Sequence, residues 1–361
     1  MRSPLFFVKK RVIAFICALL FVSAFLAGCT SCSSYLNINI PGKSMSERTS
    51  YLMHTVVVQR WYGENAEKTC DEIEDALGEF ENLASLYIED SEISRINDAA
   101  GKEYVQVSDE LFYLLKRAKQ LGDESDGAFD VTIGPLVLLW NVTGQDGAPH
   151  VPEQEDIDEA LKKVDHTKLL LDEENSAVML ADEGMKLDLG GVAKGYAAGL
   201  MRDIAEENEV TGYLSIGGNM LVIGDDPDGE PFVVGLRDPL KDANSYFATI
   251  DITGYTMATS SAAEIFFEED GVKYHHILDP KTGYPGYTDL LQVTVVSEDG
   301  LLADALSTTI FLKGSGCLEE YMDRDDCMVL AVTKDCEVYG SEDIWNIVTP
   351  TDTEDYSFMA D

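Results

Sequence analysis

Apolar side chains recur along this chain with two periods, one of two residues and one near 3.6, after an N-terminal run that has neither. That run spans Val12 to Leu26, is broken only by Cys17 and Ser23, follows Arg2, Lys9, Lys10 and Arg11, and ends in Leu26-Ala27-Gly28-Cys29. A basic segment, an apolar stretch short for a membrane span and a small-residue cleavage box read together as an export signal. Residues 1–28 are assigned to it, and Cys29 is expected to carry a lipid that tethers the mature protein to a membrane. Residues 29–50 are polar with few large apolar groups and read as a flexible tether.

Beyond the tether, residues 53–62 (MHTVVVQRWY) predict a first strand, rich in β-branched and aromatic side chains. Ile73, Leu77, Phe80, Leu83 and Ala84 share one face of a helix predicted over 64–86. Ser91 and Ser108 are placed to cap two further helices, the second over 108–122, and another fits 153–164. A hairpin is predicted from 168–172 and 176–181, and a helix from about 191 to 208. Strands fit 212–216, 220–223, 232–236, 246–252, 263–268, 273–278, 290–296 and 328–333, with helices at 301–312 and 315–323. Strands in succession with helices interspersed unevenly predict an α+β fold, mainly antiparallel sheets flanked by helices, rather than a doubly wound sheet. No boundary divides residues 51–350, so one domain is expected there, with 351–361 as a tail.

Composition narrows the partners. The formal net charge of −40 becomes about −44 once the four basic residues of the signal are removed. A field of that sign repels nucleic acid and anionic lipid, and an anionic substrate needs a cation or backbone amides to reach it. Five cysteines remain after Cys17 and Cys29, without a CxxC pair, which gives zinc little support; one disulfide among Cys317, Cys327 and Cys336 is compatible with export.

Five segments are chemically unusual. Asp126 to Leu136 (DGAFDVTIGPL) reads either as a turn into buried apolar structure or as part of a site. In Leu187-Asp188-Leu189-Gly190-Gly191-Val192-Ala193-Lys194, a strand ends in a carboxylate, two glycines turn the chain and a helix begins. Backbone amides there can approach a phosphate, and Lys194 in the first helical turn sits where the dipole disfavours a cation unless an anion is near. The spacing is not that of a Walker loop. Ser215-Ile216-Gly217-Gly218-Asn219 is a strand end with a Gly-Gly turn. Alternation over 274–278 places Tyr274, His276 and Leu278 on one face and His275 and Ile277 on the other, before an Asp-Pro-x-x-Gly turn. A neutral imidazole at that position is a candidate general base. Asp304 and Thr308, i and i+4 on a helix, present a carboxylate and a hydroxyl together, a hard oxygen pair suited to Mg²⁺.

In this order and spacing the five segments closely resemble the ApbE family, the FAD:protein FMN transferases. The resemblance runs from Met53 to about Gly314 and includes Met53-His54-Thr55 and Ser91 to Asn97 (SEISRIN). It implies that FAD, as substrate, is split at its pyrophosphate, that FMN is joined through its phosphate to a Thr or Ser hydroxyl of an exported target protein, and that AMP leaves. Such targets include subunits of membrane redox pumps and FMN-binding domains. It further implies that Asp304, Thr308 and a backbone oxygen near Gly191 hold Mg²⁺, and that Asp188 and Lys194 face the FAD. Met53, Ser85, Leu86, Tyr87, Ala128, Phe129, Asp130 and Ile277 match positions lining the flavin nucleotide, with His276 the candidate base. Three positions depart from the family pattern. Met-Gly-Thr becomes Met-His-Thr at His54, Thr-Ser-Gly becomes Thr259-Ser260-Ser261, and Leu86-Tyr87 replaces the usual phenylalanine-serine. The same motifs also accommodate an FAD pyrophosphatase that releases free FMN, or a flavin-binding lipoprotein without chemistry.

Overall fold

A computed structural model describes residues 44–145, 147–242 and 244–360; the export signal, Cys29, Cys32 and most of the tether lie outside them. The last residues assigned to the tether belong to the fold. Met45–Leu52 (β1) pairs with Thr55–Tyr62 (β2), from Met45 opposite Tyr62 to Leu52 opposite Thr55. The boundary at residue 50 is therefore corrected to before Met45. Composition misled because β1 is the outermost strand of its sheet, where polar side chains are tolerated. Arg48 is held there by ion pairs to Asp71 and Glu74.

Ala66–Ala84 (α1), Glu92–Asp98 (α2), Val105–Gln106 (β3), Asp109–Glu124 (α3), Gly134–Trp140 (α4) and Gln154–Leu161 (α5) follow. Ser91 and Ser108 cap α2 and α3 as expected, each accepting a backbone N–H three residues on. Leu169–Asp172 (β4) and Ala177–Leu180 (β5) form the expected hairpin, joined at its edge by β3. Ala193–Glu207 (α6) leads into Thr211–Ile216 (β6), Asn219–Ile223 (β7), Phe232–Arg237 (β8), Tyr246–Ile252 (β9) and Thr256–Ser261 (β10). Phe266–Glu269 (β11) and Val272–His275 (β12) form a separate hairpin, followed by Leu290–Ser297 (β13), Gly300–Lys313 (α7), Leu318–Met322 (α8) and Met328–Thr333 (β14). Glu337–Gly340 (β15), Val348–Pro350 (β16) and Ser357–Phe358 (β17) close the chain.

The main sheet has nine strands in the order β1-β2-β6-β7-β10-β13-β14-β15-β17, antiparallel except for the last pair. β13 and β14 are largely apolar on both faces because both faces are covered. Val293 and Val295 of β13 and Val329 and Ala331 of β14 meet α1, α6 and α7 in one core. Val296, Leu330 and Val332 face a second core made with the small sheet β16-β9-β8. The α+β architecture with mainly antiparallel sheets is thus as expected. The final residues are more than a tail: Tyr356 is buried, its hydroxyl donates to Asp238 Oδ1 at 2.6 Å, and β17 pairs with β15. Cys70, Cys317, Cys327 and Cys336 are all free thiols, so the disulfide allowed by composition does not form among the described residues.

The close approach of α6 and α7 sets the position of the chemistry-bearing residues. A Cβ on Gly195 would stand 2.1 Å from the carbonyl oxygen of Gly300 and 2.6 Å from Asp304 Cβ; one on Gly300 would stand 2.3 Å from the carbonyl oxygen of Gly195. Only hydrogen at both positions lets the two helices touch backbone to backbone. Beneath them lies β10, unrecognised in the sequence because Thr-Met-Ala-Thr-Ser-Ser has a weak strand signature. Its small side chains leave room for α7: a Cβ on Gly300 would already lie 3.1 Å from Thr256 Cγ2. Gly195→Ala is therefore expected to lower unfolding free energy by about 2 kcal/mol or more, measured by urea denaturation. Wild-type stability in that variant would contradict the packing account.

Candidate functional site

A cleft of about 440 Å³ opens beside the α6–α7 contact. Met53, Ser85, Leu86, Tyr87, Ala128, Phe129, Asp130, Asp188, Gly191, Lys194, His276, Ile277, Asp304 and Thr308 all line it. Residues expected to act together, scattered over more than half the chain, are thus gathered at one place; Cys29 lies outside the described residues.

Each wall has a local cause. Ser91 Oγ, besides capping α2, donates to the Ser85 carbonyl at 2.6 Å, and Ser94 Oγ donates to that of Ile88 at 2.7 Å. These bonds brace the loop carrying Ser85, Leu86 and Tyr87. Asn97 pins the opposite wall: its Oδ1 accepts Leu187 N–H at 2.6 Å and its Nδ2 donates to the Leu187 carbonyl at 3.2 Å. Leu187 is thereby held as if by a neighbouring strand, and Asp188 N–H donates to the Val131 carbonyl at 2.8 Å.

The Asp126–Leu136 segment is indeed a turn into buried structure, and it also forms a wall. Asp130 Oδ1 accepts from Thr132 N–H and Oγ1–H, while Oδ2 accepts from His166 N–H at 2.8 Å. Asp130 and then Asp123 hold the His166 imidazole above its ordinary pKa, against the opposing effect of burial. Pro135 starts α4, and the fully buried Trp140 donates from Nε1 to the Gly283 carbonyl at 2.8 Å. The tryptophan therefore anchors the Asp279–Gly283 turn that follows the histidine pair.

The histidines depart from the expected alternation. β12 ends at His275, so the strand period does not extend to Leu278, and His276, Ile277 and Leu278 all line the cleft. His275 is buried against Tyr287 and Phe311, and burial pushes its pKa down to about 4. His276 is also pushed down to about 4, by burial first and by the charge of Lys194 second. Its Nδ1 lies 3.2 Å from the Ile265 carbonyl oxygen. Because that oxygen can only accept, Nδ1 carries the proton and Nε2 is left as the basic atom.

At the helix contact, Asp304 is only 4% exposed, and its Oδ2 accepts Gly195 N–H at 2.9 Å. This is one of the amides in the first turn of α6 that have no partner within their own helix, so a carboxylate from α7 caps α6. Thr308 stands one turn along, with Ser260 Oγ of β10 3.2 Å from its Oγ1. A Cβ on Gly191 would lie 3.9 Å from Thr308 Oγ1 and 3.0 Å from Phe129 Cε2, so the bare glycine leaves the corner open. Lys194, the nearby cation, donates instead to the Gly190 carbonyl at 2.8 Å. Burial raises the Asp188 carboxyl, opposed by Gly190 N–H and Lys194. A buried carboxylate, a hydroxyl and an open backbone suit a hard cation that takes its remaining ligands from solvent or substrate. Among the described residues no cluster of three or more His, Cys, Asp or Glu forms a self-sufficient metal cage.

Glu264 and Asn219 stand out among the lining residues that went unrecognised as site components in the sequence. Glu264 carries no motif, yet loss of hydration of its carboxylate against the cleft walls, together with the charge of Asp304, raises it to about 7 despite Lys194 and Arg237. Asn219 stood out only as the end of a Gly-Gly turn, yet it is buried and its Nδ2 has no partner among the described residues.

Residues 52–331 match the ApbE family. The FAD:protein FMN transferase of Klebsiella pneumoniae is 34% identical over 293 residues, which is 80% of this chain and 90% of the relative. The enzyme of the same name from Treponema pallidum is 34% identical over 258 residues, 68% of this chain and 71% of its own. Among solved structures, the ApbE protein of Thermotoga maritima superposes with a TM-score of 0.79 at 34% identity, covering 84% of this chain and 99% of that one. The flavin transferase ApbE of Vibrio cholerae gives 0.76 at 26% identity, with the same coverage. The chain belongs to the ApbE family.

Proposed function

We propose that this protein is an FAD:protein FMN transferase that moves FMN from FAD to a Thr or Ser hydroxyl of an exported protein, with Mg²⁺ required and AMP released. Membership of a family whose curated members are FAD:protein FMN transferases makes it a transferase. The observation that carries the finer reading is the corner formed by Asp304, Thr308 and Gly191, set in the same cleft as His276 and Lys194.

In this reading the acceptor hydroxyl oxygen forms a bond to the flavin-side phosphorus. The bond from that phosphorus to the bridging oxygen breaks, and the bridging oxygen leaves on AMP. His276 Nε2 takes the hydroxyl proton, and burial keeps the imidazole neutral and ready to do so at pH 7. Asp304, Thr308 and the Gly191 carbonyl would hold Mg²⁺, which when bound supplies positive charge to the pyrophosphate. Lys194, anchored on Gly190, adds a fixed positive charge, which matters in a chain of formal charge −40. Asp188 closes the turn that faces the nucleotide. The walls from Ser85–Tyr87 and Ala128–Asp130 enclose the flavin nucleotide and limit water, which would otherwise turn transfer into hydrolysis.

The test combines FAD, Mg²⁺ and an exported acceptor, with flavin fluorescence of the acceptor in a gel and AMP release as readouts. Asp304→Asn is expected to abolish both signals. His276→Ala is expected to slow transfer by about 100-fold or more. With the His276 pKa near 4, the base is lost only as pH falls toward that value, so its contribution is expected to be constant from pH 6 to 8. AMP release with an unlabelled acceptor would overturn transfer in favour of a pyrophosphatase.

We also place the mature protein on the extracytoplasmic face of a bacterial membrane, lipid-anchored through Cys29, on the strength of the signal pattern. A lipid and a short tether would concentrate the enzyme near membrane-bound acceptors. Fatty-acid labelling of cells is expected to mark the wild type and not Cys29→Ala. Equal labelling of the two would overturn this placement.

A further inference from the structure

The turn between β1 and β2 is a two-residue loop of Met53 and His54, with φ of 52° and 56°. Such a loop requires left-handed backbone at both positions, which Asn-Gly and Gly-Gly supply readily. A methionine and a histidine there put side chains on backbone that L residues seldom adopt. Strain of this kind persists where the surroundings hold it and often marks a working surface.

The turn stands at the mouth of the cleft, and both of its residues line it. The His54 ring meets that of Tyr87 edge to face, with centroids 5.2 Å apart and planes at 73°. His54 Nε2 lies 3.8 Å from Glu81 Oε1, so the ring is steered from α1 as well. Tyr87 sits on the loop that Ser91 and Ser94 brace, and its N–H donates to Ser85 Oγ at 3.1 Å. Two rings from separate elements are thus held nearly perpendicular on the cleft wall, while the His54 side chain remains 36% exposed. A planar ring that stacks on one member of such a pair meets the edge of the other, the two arrangements aromatic groups prefer.

We propose that His54 adds to the nucleotide wall at Tyr87 a second ring, making an aromatic corner that grips a planar heteroaromatic group of the substrate, and that His54 is the residue of this chain that sets how firmly the nucleotide is held. This rests on the nucleotide reading of the cleft given above. FAD offers two rings of this chemistry, isoalloxazine and adenine, and FMN and AMP each carry one of them.

The experiment measures binding of FAD, FMN and AMP to the full-length protein, with melting temperature recorded alongside. It compares the wild type with His54→Gly and with His54→Asn, which tolerates the turn but has no ring. His54→Gly is expected to melt at or above the wild-type temperature while binding FAD about five-fold more weakly. His54→Asn is expected to weaken FAD by a similar factor. Loss confined to FMN places the flavin ring in the corner, and loss confined to AMP places adenine there; either supports the proposal. A residue serving only the hairpin would change melting temperature and leave affinity alone. Unchanged FAD affinity in both variants therefore overturns the aromatic corner and leaves the transferase reading standing. A wild-type protein that binds none of the three ligands overturns both.

Discussion

The site depends on one contact, the backbone touch of α6 and α7 at Gly195 and Gly300. It brings the first turn of one helix against the side of the other, so that Asp304 Oδ2 accepts Gly195 N–H at 2.9 Å. The bond serves two needs at once. An amide at a helix start gains the partner its own helix cannot provide, and a nearly fully buried carboxylate gains a donor that fixes its direction. With Asp304 fixed, Thr308 follows one turn later, and the glycines of the turn before α6 keep the space in front of both clear. Any side chain at Gly195 would separate the helices and lose this arrangement.

The surrounding residues form an electrostatic setting that a strongly acidic protein would otherwise lack. Lys194 is held in place by the Gly190 carbonyl, and its charge acts on Asp188, Glu264 and His276. For His276 it reinforces burial and keeps the imidazole neutral. For the two carboxylates it opposes the loss of hydration against the cleft walls, which raises both. The cleft thus gathers a lysine, several carboxylates, with Asp304 buried among them, and a neutral imidazole. That arrangement suits the transfer we propose, in which a hydroxyl proton is removed while a pyrophosphate is divided.

Much of this was legible in the sequence, for reasons specific to particular residues. The Asp-Leu-Gly-Gly turn, the i, i+4 pair on α7 and the serine caps of α2 and α3 are local patterns with local causes, so their places in the fold could be read from spacing. Elements stabilised by what lies over them were not. β10 is small and polar because α7 covers it, and β1 is polar because it forms the sheet edge. The alternation through the histidine pair failed because β12 ends at His275, after which His276, Ile277 and Leu278 all line the cleft. Glu264 had no signature at all, since its environment comes from the cleft walls and not from its neighbours in the chain.

The proposed oxygen corner for a divalent cation rests on the helix contact that fixes Asp304 and Thr308. Mn²⁺ binding in the presence of FAD, followed by electron paramagnetic resonance, tests it most directly when the wild type is compared with Thr308→Val. That substitution keeps the shape of the side chain and leaves Gly195, Gly300 and Asp304 untouched. An unchanged melting temperature and Mn²⁺ affinity weakened by at least about tenfold are expected. Equal Mn²⁺ affinity in the two proteins would contradict the proposed corner.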